Sequence, residues 1–357
     1  PRQRRGGLAH QQPLAQEQLD QASLPSRRQL PRVLPGGEAY ISTGDGEGAP
    51  LLHGVAGVEA QVHERVVELA GIAFHRIHRL FTELGLDETM VRWVWGPNSS
   101  STPPFSITDY WPGEADRPAI LILHGFLQTR EFPTVRRLAE ALADQGYSVL
   151  LPSLTLGLDR RRQGVGCEAI HTHSMQQDVG ELRAWIDWLW ERHDKPPVIV
   201  GHSAGGAQIV ALLDTHPDLG VDQALLISLS YFGEEQGADR SALLRARAQR
   251  DLAGNPDGMN RYALTFCQRY VTAPAQLLSY LDWDKHRLRE ALGRSPVPVT
   301  VVYGGSDTRV DSQWLEGLRD GGVSVRPVPG ANHFFDLAHE FELLDEVLDI
   351  LDGGNHG

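Results

Sequence analysis

The chain has 357 residues and a formal charge of −13, with 33 Lys and Arg against 46 Asp and Glu. Apolar residues are 41% and glycine brings the share to about half, as in a globular protein long enough to bury a core without staples. No apolar run approaches the ~18–20 residues of a bilayer crossing, and an acidic chain lacks the basic face that a nucleic-acid partner requires.

Residues 1–50 are rich in Gln, Pro, Arg and Gly and lack periodicity, which predicts a disordered or extended arm. Docking of this arm on a partner or a second copy is the alternative. Arg4-Arg5 is not followed by an apolar stretch, so it does not read as a twin-arginine leader. In 51–87, Val58, Val62, Val66, Leu69, Ala73, Ile77, Leu80 and Leu84 form one stripe of a helix expected to pack on its own domain. His75 and His78 lie off that stripe and read as exposed side chains. Met90–Trp95 and Phe105–Trp111 read as a hairpin across a Pro/Asn/Ser loop that carries the sequon Asn98-Ser99-Ser100.

From Pro118 the pattern alternates. Strands are expected at 119–123, 147–151, 197–200, 224–228, 297–303 and 323–328. Helices are expected at 135–145, 176–192, 204–216, 312–319 and 343–351. Alternation of this kind predicts a mostly parallel central sheet with helices on both faces, in a core made of 88–230 and 297–357. Residues 231–296 show no strand signal and read as a helical cap insertion. Cys167 and Cys267 are too few for a disulfide framework or a four-cysteine zinc site. Two buried thiols are the expectation and one bridge the alternative. The compartment stays open, with a soluble, cytoplasmic chain favoured.

The strongest chemical signal is Gly201-His202-Ser203-Ala204-Gly205, with the apolar strand 198–200 before it and a helix after it. Gly-x-Ser-x-Gly in that context lifts the serine hydroxyl out of the sheet on a turn too tight for side chains at the flanking glycines. It also points a helix N-terminus at the space in front of Oγ. A serine needs a base, and the base needs a carboxylate to hold its tautomer. Gly304-Gly305-Ser306-Asp307 follows one strand, and Pro329-Gly330-Ala331-Asn332-His333 follows the last.

On this elbow and these two motifs, the chain from about Met90 to Leu351 resembles the α/β-hydrolase superfamily. The resemblance implies the α/β-hydrolase fold and a triad of Ser203, Asp307 and His333. Glu234, after the preceding strand, is the reserve acid, and Asp336 is a weaker contender for that role that is expected instead to cap the next helix. Leu123-His124-Gly125-Phe126 is similar to the superfamily's oxyanion turn, which implies donors from the backbone N–H groups of Phe126 and Ala204. His124 and His202 then read as structural. A serine nucleophile speaks against the dehalogenase and epoxide-hydrolase branches, which use Asp at that position.

The resemblance implies a serine hydrolase acting on a small-molecule acyl substrate, an ester or alternatively a thioester or amide, with no cofactor or metal. A noncatalytic binding protein, an acyltransferase or a lyase on the same fold are the alternatives. Leu127, Tyr231, Phe232, Phe266 and Trp283 are candidate substrate-wall residues, with ordinary core packing as the alternative. His171 and His173 near Cys167 read as loop histidines rather than metal ligands, and Arg240, Arg245, Arg247 and Arg250 as a solvated helix face.

Overall fold

A computed structural model describes residues 38–41, 91–95, 106–233, 237–336 and 339–353. The helix expected in 51–87, the sequon, Glu234 and most of the arm at 1–50 lie outside the described residues. Within the arm, however, β1 (Glu38–Ile41) pairs antiparallel with β2 (Val91–Trp95), so this part of it is an edge strand. The expected hairpin forms between β2 and β3 (Ser106–Trp111).

The remaining core elements are β4 (Ala119–Leu123), α1 (Pro133–Asp144), β5 (Ser148–Ser153), β6 (Ile170–His171), α2 (Met175–Trp190), β7 (Val198–His202), α3 (Ala204–Thr215) and β8 (Ala224–Ile227). An insertion of α4 (Ala238–Gly254), β9 (Asn260–Leu264), β10 (Cys267–Thr272), α5 (Pro274–Leu281) and α6 (Lys285–Gly293) precedes β11 (Val299–Gly304). The core closes with α7 (Ser312–Asp320), β12 (Ser324–Val328) and α8 (His339–Leu351).

The large sheet has the order β1-β2-β3-β5-β4-β7-β8-β11-β12. From β5 to β12 the strands are parallel, and β1 to β3 add antiparallel to the β5 side. Side chains alternate across each strand. Ile120 and Ile122 therefore pack with Leu138 and Leu142 of α1 and Val347 of α8. Leu121 and Leu123 pack on the other face with Leu182 and Trp185 of α2 and Ile209 of α3. After β4 the chain moves to β5 on one side and then to β7 on the other. The crevice beyond the carboxyl ends of β4 and β7 is thus a topological switch point, the usual place for a ligand in such sheets.

The insertion is not wholly helical, as the sequence had suggested. β9 and β10 form an antiparallel hairpin, and β10 pairs parallel with the short β6 of the core. Tyr262, Leu264, Tyr270 and Thr272 point inward at period two, while Arg261 and Phe266 are exposed. The hairpin turns through Thr265 at φ 49°, without the Gly or Asn that marks most two-residue turns. The two cysteines are not free thiols either: Cys167 and Cys267 form a disulfide across a sequence separation of 100. It joins the loop before β6 to the first residue of β10 beside the ladder already there. Among the described residues no helix is long and apolar enough to cross a membrane.

Candidate active site

The switch-point crevice contains Ser203 on the turn between β7 and α3. Its φ of 56° and ψ of −123° are unfavourable for a residue with a Cβ and are tolerated because the flanks leave no alternative. A Cβ on Gly205 would lie 2.5 Å from the His124 carbonyl oxygen, and one on Gly201 would lie 2.8 Å from the Gly205 carbonyl. Both approaches exclude a side chain.

Ser203 Oγ is 3.0 Å from His333 Nε2, and His333 Nδ1 is 2.7 Å from Asp307 Oδ2. The three come from the ends of β7, β12 and β11. A carboxylate only accepts, so Nδ1 carries the imidazole proton and Nε2 is free to accept from the serine hydroxyl. Asp307 Oδ1 also accepts from the Arg309 N–H at 2.9 Å. Burial alone would raise the Asp307 carboxyl, but the hydrogen bond and charge of His333, with the Arg309 amide, hold it below its ordinary value. His333 is 5% exposed.

His202 supports this loop from below by donating from Nε2 to the His333 carbonyl at 3.0 Å. Burial, and the neighbouring His333, lower its pKa to about 4, so it is neutral. Asp336 is exposed and accepts from Asn332 Nδ2 at 2.9 Å.

The turn after β4 closes over the same place. A Cβ on Gly125 would sit 3.3 Å from Ser203 Cβ. Leu127, 4% exposed, holds φ 58°, a left-handed conformation that costs a leucine about 1–2 kcal/mol. The N–H groups of Phe126 and Ala204 meet no protein acceptor among the described residues.

Of the candidate wall residues, Phe232 and Phe266 gather edge-on around the Phe126 ring, at 6.0 and 5.7 Å between centroids, with Tyr270 beside them at 5.7 Å. Tyr231 and Trp283 have other partners. Tyr231 packs edge-on against Trp314 under Lys285, and Trp283 lies beneath the Arg287 guanidinium. His171 stacks on Tyr270 at 4.0 Å, and Cys167 is consumed by its disulfide. Among the described residues no group of His, Cys, Asp and Glu is arranged to hold a metal ion.

Three features were missed in the sequence. Ser230 Oγ lies 3.1 Å from Ser203 Oγ. Arg161 is 4% exposed and bonded to the turn after β4. Asp178 lies buried under the insertion, accepting from Gln208 Nε2 at 2.6 Å and from the Tyr280 hydroxyl, which also contacts His173. Their partners are backbone groups or residues far away in the chain, and no local pattern signals them.

A thermostable monoacylglycerol lipase of Bacillus sp. (strain H-257) is 29% identical over 121 residues, 34% of this chain and 45% of that protein. The chain thus matches less than half the length of this curated relative. Among solved structures, the alpha/beta hydrolase GrgF from Penicillium sp. sh18 is 14% identical at a TM-score of 0.56, covering 73% of this chain and 98% of that one. A monoacylglycerol lipase from Paleococcus ferrophilus is 16% identical at a TM-score of 0.53, covering 68% and 97%. Est1E from Butyrivibrio proteoclasticus, bound to ferulic acid, is 15% identical at a TM-score of 0.51, covering 69% and 94%. At these identities the structural likeness carries the fold. The model of the alpha/beta hydrolase family matches residues 120–346, from β4 into α8 and well over half the chain. By that match, and with the sheet order that accompanies it, this chain belongs to the alpha/beta hydrolase family.

Proposed function

We propose that this protein is a serine hydrolase that cleaves a carboxylic ester through an acyl-enzyme. The observation that carries the reading is the continuous path Ser203 Oγ, His333 Nε2, His333 Nδ1, Asp307 Oδ2, with contacts of 3.0 and 2.7 Å at its two ends. Ser203 Oγ attacks the ester carbonyl while His333 Nε2 takes its proton. Asp307 stabilises the imidazolium that results. The carbonyl oxygen becomes an oxyanion between the Phe126 and Ala204 N–H groups. Collapse expels the alcohol, protonated by His333. Water then attacks the acyl-enzyme by the same route, and the acid leaves as Ser203 recovers its proton.

The aromatic group at Phe126, Phe232 and Phe266 supports an apolar acyl chain as the part of the substrate held beside Ser203. The name of the bacillary relative points the same way, to an aliphatic acyl ester.

A fluorophosphonate probe should label the folded protein at Ser203, and Ser203→Ala should not be labelled. On a panel of p-nitrophenyl esters of increasing chain length, Ser203→Ala should lose on the order of 10⁴-fold or more in kcat. A folded wild-type protein that resists the probe and hydrolyses no ester of the panel would overturn the proposal.

A further inference from the structure

The Gly125–Phe126 peptide carries the Gly125 carbonyl on one edge and the Phe126 N–H on the other. A trans peptide is planar, so fixing the direction of one group fixes the other. The Gly125 carbonyl accepts from His124 Nδ1 at 2.8 Å and from the Gln128 N–H at 3.2 Å. His124 supplies that proton as a neutral ring only in the tautomer whose Nε2 is bare.

Both neighbours of Nε2 are donors. The Leu154 N–H reaches it at 3.1 Å and Arg161 Nη2 at 3.3 Å. A proton on Nε2 would face two more protons and no acceptor, so these neighbours select the Nδ1–H form. Burial, and then the Arg161 charge, also lower the His124 pKa to about 3, which keeps the ring neutral.

Arg161 binds the same turn a second way. Nη2 donates to the Gln128 carbonyl at 2.6 Å and Nη1 to the Leu127 carbonyl at 3.5 Å. Its Nε and Nη1 also donate to the Leu154 and Gln163 carbonyls at 2.9 and 3.0 Å. One buried guanidinium thus ties the left-handed Leu127 and its neighbour to the end of β5.

We propose that Arg161 and His124 are positioning residues that lock one imidazole tautomer and through it aim the Phe126 N–H at the oxyanion. This inference rests on the reading of Ser203 as nucleophile, and it assigns Arg161 a part in turnover although it touches no reacting atom.

The first test is nitrogen NMR on the full chain labelled with ¹⁵N-histidine, with the His124 signals assigned by their loss in His124→Asn. The expected result is a neutral ring protonated at Nδ1 and bare at Nε2 from pH 5 to 8. A proton on Nε2 overturns the proposal, whatever the variants do. The second test is kinetic. His124→Phe and Arg161→Met should each lower kcat on the preferred ester tenfold to a hundredfold, with KM within threefold. Affinity for a trifluoromethyl ketone, which forms an oxyanion adduct on the serine, should fall by the same factor. His124→Asn, whose amide can donate from the Nδ1 position, should recover most of the lost turnover. If folded variants retain kcat and ketone affinity, or lose KM and kcat together, the proposal fails. A wild-type protein with no esterase activity and no probe labelling would instead sink the reading of Ser203 and leave the NMR result standing.

Discussion

The hydroxyl of Ser230 lies 3.1 Å from that of Ser203, and the available protons decide which of the two donates. Ser203 has a single hydroxyl proton, and its partner at 3.0 Å, His333 Nε2, has none to give. Ser230 is therefore the donor and Ser203 Oγ the acceptor. The other acceptor near Ser230, the Ser228 carbonyl at 3.4 Å, is more distant.

A donor at that place matters most when Oγ carries negative charge, which happens as it leaves the acyl group. Ser230→Ala should slow deacylation on the order of tenfold to a hundredfold, the worth of one hydrogen bond to a charged oxygen, about 1.5–3 kcal/mol. Acylation should change less. Burst kinetics with a chromogenic ester separate the two, and an equal slowing of both phases would contradict the assignment.

Acid should destabilise the fold through His202. In the folded chain its pKa is lowered to about 4 by burial and by the nearby His333, against an ordinary 6.5. The unfolded chain takes up a proton below pH 6.5 that the folded chain refuses until about pH 4. The stabilisation is complete above pH 6.5 and is lost as pH falls through that window. Between pH 7 and 5 the loss from this one group is about 2 kcal/mol. Guanidinium unfolding at the two pH values should show a drop smaller by about that amount in His202→Gln, and an unchanged drop would count against a neutral buried imidazole.

The disulfide should contribute to stability because it closes a long loop. In the chain-entropy account a loop of about 100 residues gives an upper value near 4.7 kcal/mol, and measured bridges more often give about 2–4 kcal/mol. The double variant Cys167→Ala, Cys267→Ala should lose about that much in guanidinium unfolding. It should also become insensitive to dithiothreitol, whereas the wild-type protein should move toward it when reduced.

Asp109 offers a harsher test. It is fully buried on β3, and its Oδ2 accepts from Arg130 Nε at 2.8 Å and Arg136 Nη1 at 2.7 Å. Asp109→Ala would leave buried positive charge without this carboxylate, which typically costs about 3–5 kcal/mol. The surface pair of Arg117 and Glu114, at 3.1 Å and well exposed, should change stability far less when Glu114→Ala breaks it, because solvent screens it. Chemical denaturation of the two variants side by side checks the contrast.

Much of the site was readable because its constraints are local. The elbow around Ser203 declares itself through two glycines at fixed distance between an apolar strand and a helix, and that is where the sharp turn lies. Asp307 and His333 could be placed because each follows the end of a strand, β11 or β12, through a short stretch that contains glycine. The hairpin of the insertion was not readable, since Thr265 and Phe266 carry no turn signature and the Tyr262 to Thr272 alternation is interrupted there. The pairing of Cys167 with Cys267 depends on a fold that brings β6 beside β10. Ser230 and Arg161 escaped for a related reason. Their bonds go to a distant hydroxyl and to backbone carbonyls, and neither leaves a spacing to recognise.

The second, smaller sheet has a mechanical implication. Its strand β10 is laced to β6 by backbone hydrogen bonds and by a covalent link one residue from Phe266, while Tyr280 on α5 is pinned to Asp178 on α2. A segment moored at both places cannot tilt away as a rigid door. Phe266, next to the bridged Cys267, is therefore presented to the Phe126 ring from a covalently anchored strand end.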